Sequence, residues 1–217
     1  MKLYSYWRSQ ASYRVRIALH LKDIQAEIVT LDLLKGDQHA PAYRAVNPEG
    51  VVPALILDGR VPLFQSLAIV EYLDEQYPEP RLLPADARDR AYVRALAQIV
   101  AMDAHPFIVP RVRKYLEHEL GLDEPARTKW LSHWLDAGTR TLEHLLARDG
   151  RTGLFCYRDA LTLADICLAA HVTSAIMLCG FDIGPYPVVR RVFDRCMELD
   201  AFTATHPLRQ PDAPRND

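Results

Sequence analysis

The chain has 217 residues, of which 49% are hydrophobic and 25% are charged, and its formal net charge is −2. This balance is typical of a globular protein and excludes a disordered, collagenous or repeat-biased chain. Since Lys and Arg number 26 against 28 Asp and Glu, no large positive field attracts a phosphate backbone, and we expect no nucleic-acid partner. The length accommodates one large domain or two small ones.

Cysteine usage and the apolar segments bear on compartment. Four cysteines occur, all in the last third of the chain: Cys156, Cys167, Cys179 and Cys196. They form no CxxC pair, so we expect no metal site and no dithiol motif, but reduced thiols in a cytoplasmic protein. No signal peptide is expected at the start of the chain. The most apolar stretch, residues 161–178, contains Asp165 and His171, which favours a buried helix over a membrane span.

The first 80 residues alternate short strands with helices. We predict strands at residues 2–6, 25–32, 51–57 and 60–63 and helices at residues 12–22, 38–45 and 66–77. Asp58 and Gly59 suit a two-residue type I′ hairpin turn, and Ser66 is the expected cap of the last helix. The order βαβαββα predicts a thioredoxin-like α/β domain at residues 1–80.

After residues 79–84 the pattern becomes helical, so we predict an all-helical domain at residues 85–217. A long helix begins at Asp86, and Pro106 and Pro110 are expected to kink it. The next helix begins at Pro125. Its apolar stripe consists of Leu131, Leu135, Gly138, Leu142 and Leu145. Thr162 and Asp165 match a capping box ahead of the apolar helix, and residues 210–217 are expected to form a polar tail.

Candidate chemistry begins at the loop between the first strand and the first helix. No P-loop, GxGxxG, HExxH or GxSxG motif occurs, which suggests that the protein borrows its reactive group. Ser9 lies in this loop, where a helix N-terminus and a hydroxyl donor would lower the pKa of a bound thiol. The alternative is that Ser9 or Ser12 simply caps the helix.

Two further segments point to the same rim. Pro53 after Val52 is a candidate cis proline, which would expose the Val52 backbone to a peptide ligand laid alongside as an extra strand. Gln65 and Ser66 open a helix and could hold a carboxylate. A trans edge-strand proline and an ordinary helix cap are the alternatives. Together the three segments favour a pocket for a short anionic thiol peptide.

The sequence of these segments resembles that of the cytosolic glutathione transferases. More narrowly, it resembles the zeta class, which contains maleylacetoacetate and maleylpyruvate isomerases. The residues that carry the resemblance are 47–55 (NPEGVVPAL), 64–69 (FQSLAI), 4–9 (YSYWRS), 13–19 (YRVRIAL), 81–84 (RLLP) and 206–212 (HPLRQPD). The similarity spans nearly the whole chain. It implies the glutathione transferase fold, a homodimer and glutathione as cofactor.

The resemblance also assigns glutathione contacts residue by residue. Ser9 matches the serine beside the glutathione sulfur. Val52, followed by Pro53, matches the backbone partner of the cysteinyl part, and Gln65 with Ser66 matches the site of the γ-glutamyl end. Further contacts near the glycine end and the cleft would come from Gln38, His39 and His105.

The implied reaction is a cis-trans isomerisation of maleylacetoacetate or a similar unsaturated diketo acid, such as maleylpyruvate, in aromatic catabolism. The thiolate adds to the cis double bond, the resulting single bond rotates, and elimination restores a trans double bond. Arg8 and Arg111 match positions for substrate carboxylates. Without the family context, such arginines would be plain solvated charges, and His105 a packing residue at a helix end.

Two positions depart from the zeta pattern. Gln10 and Ala11 stand where a serine and a cysteine are usual, and Met177 stands where an arginine for substrate is often found. A less polar pocket would suit a zeta-like transferase that conjugates small electrophiles or displaces halide from α-halo acids. A non-catalytic binding module of the same fold is the third alternative.

Overall fold

A computed structural model describes residues 1–57 and 60–214, and it divides the chain into two compact units. The first unit comprises Met1–Leu82 together with the chain from Leu199 onward, and the second comprises Leu83–Glu198. The sequence assigned everything after residue 85 to the helical domain, whereas the structure groups the last segment with the first unit. The predicted Asp58–Gly59 turn and the last three residues of the predicted tail lie outside the described residues.

The regular elements are as follows. The strands are β1 (Lys2–Ser5), β2 (Glu27–Thr30), β3 (Ala54–Ile56) and β4 (Leu63–Phe64). The helices are α1 (Gln10–Leu21), α2 (Pro41–Arg44), α3 (Ser66–Gln76), α4 (Ala87–Met102), α5 (Pro110–His118), α6 (Glu124–Arg148), α7 (Leu163–Cys179), α8 (Pro187–Met197) and α9 (Asp200–Thr203). Short 3-10 helices cover Asp37–His39, His105–Phe107 and Pro207–Arg209.

The first unit contains a mixed sheet with the strand order β2-β1-β3-β4. β1 pairs in parallel with β2 through the α1 crossover and antiparallel with β3, which in turn pairs antiparallel with β4. This arrangement confirms the predicted thioredoxin-like domain. Helices α1 and α3 pack against each other. On α3 the buried apolar residues lie on one face and include Ile69, whereas α1 is buried at every residue from Gln10 to Leu19.

Helix α1 and its C-cap residue Lys22 carry buried cations, which are rare in protein interiors unless they are paired. The side chain of Lys22 is fully buried, and its Nζ donates to Asp74 Oδ1 and to the carbonyls of Tyr77 and Pro80, each at 2.6 Å. Asp74 also accepts the backbone N–H of Leu82 at 2.8 Å. One ammonium group therefore fixes the path of the chain as it leaves α3.

The second unit is a helical bundle arranged around α7, which packs on α4, α6 and α8. Residues Leu163–Ala175 of α7 are all buried. Because α7 has neighbours on every side, its side chains are apolar all round, unlike those of an amphipathic surface helix. Within the described part of the chain, no helix is both long enough and apolar enough to cross a bilayer.

Three local predictions are corrected. Instead of one kinked helix, α4 ends at Met102, and Pro106 and Pro110 stand in the first turns of a 3-10 helix and of α5, because proline lacks the N–H that an interior turn requires. On α6 the stripe ends at Leu146 (2% exposed) rather than at Leu145 (37% exposed). Ser66 is the first residue of α3, and Gln65 occupies its N-cap position.

The predicted capping box at the start of α7 is confirmed. The fully buried carboxylate of Asp165 accepts the N–H of Cys156 at 2.7 Å and both the N–H and the hydroxyl of Thr162 at 2.8 Å. Burial raises the pKa of Asp165, and these hydrogen bonds oppose that rise. The carboxylate joins the loop before α7 to the first turn of the helix.

We expect Asp165→Ala to lower the free energy of unfolding by about 2–4 kcal/mol, because it leaves buried N–H groups without an acceptor. Asp123→Ala is the matched control. Asp123 is the exposed N-cap of α6 and accepts the N–H of Ala126 at 3.0 Å, so its loss costs about 1 kcal/mol. Urea unfolding measures both variants, and equal losses would contradict the special role of Asp165.

Candidate functional site

Ser9 closes a tight turn between β1 and α1. Its N–H donates to the carbonyl of Tyr6 at 3.0 Å, so Trp7 and Arg8 occupy the middle of the turn. Ser9 is also the N-cap of α1, and its Oγ accepts the N–H of Ser12 at 3.1 Å. The guanidinium of Arg8 lies 5.6 Å from the centre of the Trp7 ring.

Capping and thiol activation are compatible in this geometry. The bond from Ser12 uses a lone pair of the Ser9 hydroxyl, and the hydroxyl proton is still available to a second partner. Ser9 stands at the positive end of the α1 dipole, where a negative charge is stabilised. A thiolate near Ser9 would therefore accept a hydrogen bond and experience a favourable field, and both effects lower the pKa of a thiol.

The segment before β3 presents a backbone edge. The Val52–Pro53 peptide bond is cis, as the sequence predicted. The preceding carbonyl, that of Val51, accepts the Tyr43 hydroxyl at 2.6 Å and Asn47 Nδ2 at 2.8 Å. Within the described residues, the loop hydrogen bonds make no use of the Val52 backbone. Its N–H and C=O are therefore available to an extended peptide.

Gln65 and Ser66 begin α3 in different ways. Gln65 has φ 67° and ψ 112°, a conformation that favours glycine, and its Nε2 donates to Glu49 Oε2 at 3.0 Å. Ser66 is buried, and its Oγ accepts Nη1 of Arg14 at 2.8 Å. No side chain caps this helix, so the N–H groups of its first turn can bind a carboxylate.

Gln38 and His39 lie beside Gly50, in the loop that precedes β3. Gln38 is buried and donates from Nε2 to the carbonyl of Leu33 at 3.3 Å, whereas His39 is exposed. Gly50 has φ +67°, and a Cβ there would lie 3.3 Å from the Gln38 carbonyl and 3.4 Å from Nδ1 of His39. Glycine is therefore required at position 50 both for its backbone angle and for this close approach.

The sheet register brings the three loops together beyond one end of the strands. Tyr4 of β1 pairs with Ala54 of β3, and Ala54 pairs with Phe64 of β4. The turn that holds Ser9 follows β1, Val52 precedes β3, and Gln65 follows β4, so all three lie beyond the same end of the sheet. The predicted common rim of the first unit follows from this register.

The remaining candidates belong to the second unit. Arg111 is exposed in the first turn of α5, and His105 is partly buried at the start of a 3-10 helix. Aromatic side chains of α6 support this segment: the ring of Trp134 stacks on Phe107 at 4.0 Å, and Trp130 Nε1 donates to the Phe107 carbonyl at 2.8 Å. Aromatic packing against α6 thus supports the segment that carries both candidates.

The departures from the zeta pattern have different surroundings. Gln10 is buried, and within the described part of the chain neither polar atom of its amide has a hydrogen-bond partner. Ala11 is buried beside it. At the end of α7, Ile176 is 42% exposed and Met177 is partly buried. This end of α7 therefore presents apolar side chains where a substrate-binding arginine is common.

Sequence reasoning missed two kinds of residue at this edge. Glu49 was not singled out, although its carboxylate fixes the amide of Gln65. Arg14 and Arg16 were noted only as part of the family motif, yet both are buried and donate to residues around the site. Their position within an apolar helix was the available signal, because a charged residue on a buried face needs a specific partner.

We expect Gln65→Gly to raise the free energy of unfolding by about 1 kcal/mol, since glycine relieves the backbone strain. The same variant should bind glutathione about tenfold more weakly, because it loses the side-chain amide. Asp23→Gly is the control, since Asp23 also has a positive φ, 53°, in the same unit. It should leave glutathione affinity unchanged. Thermal unfolding and calorimetry measure both effects, and unchanged affinity in Gln65→Gly would contradict a binding role for this side chain.

Comparisons with known proteins identify the family of this chain. Residues 3–81 match the family described as Glutathione S-transferase, N-terminal domain. The maleylpyruvate isomerase of a Ralstonia species is 46% identical over 213 residues, which cover 98% of this chain and 100% of that protein.

Two solved structures are similar over the whole chain. One is a holo maleylpyruvate isomerase, described as a bacterial zeta-class glutathione transferase, with a TM-score of 0.95 and 45% identity, covering 99% of this chain and 100% of the other. The second is the maleylacetoacetate isomerase of Methylobacterium extorquens AM1 with bound malonate and glutathione, with a TM-score of 0.94, 46% identity and the same coverage. The chain therefore belongs to the zeta class of the glutathione transferases, the family of the maleylacetoacetate and maleylpyruvate isomerases.

Proposed function

We propose that this protein is a glutathione-dependent cis-trans isomerase of maleylacetoacetate, maleylpyruvate or a similar cis-unsaturated diketo acid. The observation that carries the proposal is the sheet register, which aligns Tyr4, Ala54 and Phe64 and so groups Ser9, Val52 and Gln65 beyond one edge. Two relatives that match this chain over nearly its full length are named maleylpyruvate isomerase and maleylacetoacetate isomerase.

The residues at this edge fit a glutathione molecule. The Val52 backbone suits the cysteinyl peptide unit, because its N–H and C=O are available for strand-like pairing. The uncapped start of α3 suits the γ-glutamyl carboxylate. Glu49 adds a carboxylate next to Gln65, which complements the ammonium group of the γ-glutamyl end. Gln38 and His39 are the proposed partners of the glycine end, and His105 is a further proposed contact.

Glutathione supplies the thiolate that adds to the double bond and is later eliminated. The Oγ of Ser9 accepts the N–H of Ser12, and its hydroxyl proton would donate a hydrogen bond to the sulfur of bound glutathione. The N-terminus of α1 stabilises the negative charge on it. The protein thus acts by positioning a borrowed nucleophile, so its own contribution is orientation and electrostatic stabilisation.

Cations are needed for the substrate, which carries carboxylates and develops enolate charge during the reaction. Arg8 is the proposed partner in the first unit, in the turn that also holds Ser9. Arg111 is the proposed partner in the second unit, where it is exposed on α5. A guanidinium binds a carboxylate through two parallel hydrogen bonds, which fixes the orientation of the substrate as well as its charge.

A second candidate reaction is glutathione transfer to a small electrophile or an α-halo acid. Ile176 and Met177 favour it, because the end of α7 presents apolar side chains instead of a cation. A substrate with fewer carboxylates would suit such a surface. Glutathione-dependent release of chloride from a chlorinated acetate, compared with isomerisation by the same preparation, ranks the two reactions.

The test of the proposed function is isomerisation of maleylpyruvate or maleylacetone with and without added glutathione. The rate should depend on glutathione. Ser9→Ala should lower kcat about a hundredfold through loss of the hydrogen-bond donor, and should lower the free energy of unfolding by about 1 kcal/mol through loss of the cap. Ser9→Asn is the matched control, since asparagine retains a capping acceptor, and it should lose activity without the loss of stability.

Two results would contradict the proposal. An isomerisation rate that does not depend on glutathione would exclude the borrowed nucleophile. Retention of full activity by Ser9→Ala would exclude Ser9 as the thiolate partner. Glutathione binding without isomerisation would direct the search to the transfer reaction, and absence of binding would favour a module without turnover.

We also infer a homodimer in the cytoplasm. Support for the compartment comes from the four cysteines, which form no disulfide within the described part of the chain and of which three are buried. Edge strand β4 and its surroundings expose Val61 (82%) and Phe64 (48%), and exposed apolar groups of this kind are suited to an interface. Light scattering should give twice the chain mass of 24.7 kDa, and a mass of one chain would contradict the dimer.

A further inference from the structure

The end of the chain lies on the turn that carries Ser9. Asp212 Oδ2 accepts the backbone N–H of Trp7 at 2.9 Å, although the two residues are 205 positions apart. Trp7 and Arg8 are the central residues of the turn from Tyr6 to Ser9. The carboxylate therefore binds the backbone of the turn itself, two residues before the catalytic serine that we propose.

Arg16 binds the same turn by donating hydrogen bonds to the carbonyl groups of the turn. Its guanidinium donates to the Trp7 carbonyl at 3.2 Å, to the Tyr6 carbonyl at 3.4 Å and to Ser5 Oγ at 3.0 Å. Its Nε donates to the carbonyl of Thr205 at 3.2 Å. Arg16 thus joins the turn to the C-terminal segment, which we define as residues 199–214, while Asp212 accepts the N–H of Trp7.

The C-terminal segment has an ordered shape of its own, so Asp212 is not on a loose tail. Tyr13 donates its hydroxyl to the Phe202 carbonyl at 2.8 Å. His206 accepts the N–H of Leu208 at 3.2 Å and caps the 3-10 helix, and Gln210 Nε2 donates back to the His206 carbonyl at 3.1 Å. These bonds fix the direction in which the chain reaches Asp212.

We infer that Asp212 is a positioning residue for the thiol-activating turn: by holding the Trp7 N–H, it sets the place of Ser9 and Arg8 relative to bound glutathione. This inference rests on the proposed function. The Trp7 N–H and the Tyr6 carbonyl belong to the same peptide unit, and that carbonyl accepts hydrogen bonds from the Ser9 N–H and from Arg16. A displacement of this peptide unit therefore displaces Ser9. A shift of a fraction of an ångström weakens a hydrogen bond to a thiolate.

The experiment compares Asp212→Ala with Asp212→Asn. Three quantities are measured: kcat, the pH at which bound glutathione ionises, followed by thiolate absorbance, and the thermal midpoint. Asp212→Ala should lower kcat about tenfold and move the ionisation midpoint of bound glutathione to higher pH. Asp212→Asn keeps an acceptor for the Trp7 N–H and should restore most of both values.

Tyr13→Phe is the matched control. It removes the hydroxyl bond to the Phe202 carbonyl and so loosens the C-terminal segment, while it keeps the backbone N–H that donates to the Ser9 carbonyl at 2.9 Å and the ring that lies 5.5 Å from the Arg16 guanidinium. We expect it to lower the thermal midpoint and to leave the ionisation midpoint of bound glutathione unchanged. If it raised that midpoint as much as Asp212→Ala does, the role of Asp212 would be merely structural and the inference would be overturned.

Amide hydrogen exchange at Trp7 and Ser9 tests the inference without any ligand. Asp212→Ala should accelerate exchange at both amides, and unchanged exchange at Ser9 would overturn the proposal. If the wild-type chain bound glutathione but did not isomerise the substrate, the proposed reaction would fail, while the ionisation midpoint would still test Asp212. If the wild-type chain bound no glutathione, the exchange rates would decide about Asp212 alone.

Discussion

The buried cations of α1 are the constraint on which the first unit depends. A charged group that leaves water must find partners, and each cation on this helix finds them in a different part of the unit. Arg14 binds Ser66 at the start of α3, and Lys22 binds Asp74 and two carbonyls where the chain leaves α3. Arg16 binds the turn after β1 and the carbonyl of Thr205. The need to satisfy three charges on one helix therefore orders the loops around the site, whereas apolar packing alone would leave their exact paths open.

The site is assembled from backbone groups and a few polar side chains, which is consistent with a protein that borrows its nucleophile. The cis peptide bond after Val52, the positive φ of Gln65 and the helix cap at Ser9 are features of the main chain as much as of the side chains. The positive φ of Gln65 persists only where the surroundings determine it. The family match covers residues 3–81, and the sheet register within that range brings the three loops to the same end of the sheet.

Much of this could be predicted from the sequence, and the failures have physical causes. Ser9, Val52 and Gln65 stand next to strong local signals: a strand end, a proline and a helix start. Glu49 and Asp212 have no such signal, because an acidic residue in a polar loop is usually solvated. The kink expected at Pro106 and Pro110 became a break with a 3-10 turn, and the α6 stripe ended one residue later than predicted. Both errors concern the ends of elements, where neighbouring packing overrides local preference.

The sequence by itself determined the order of strands and helices, the capping box of α7, the thioredoxin-like first domain and the family, since hydrophobic periodicity, turn residues and motif spacing are local properties of the chain. Only the tertiary structure decided which distant segments of the chain pack together in one compact unit. It grouped the residues from Leu199 onward with the first unit and joined Asp212 to Trp7. It also placed Arg14 and Arg16 in the interior as hydrogen-bond donors. These outcomes depend on contacts between residues far apart in the chain, which local pattern does not encode.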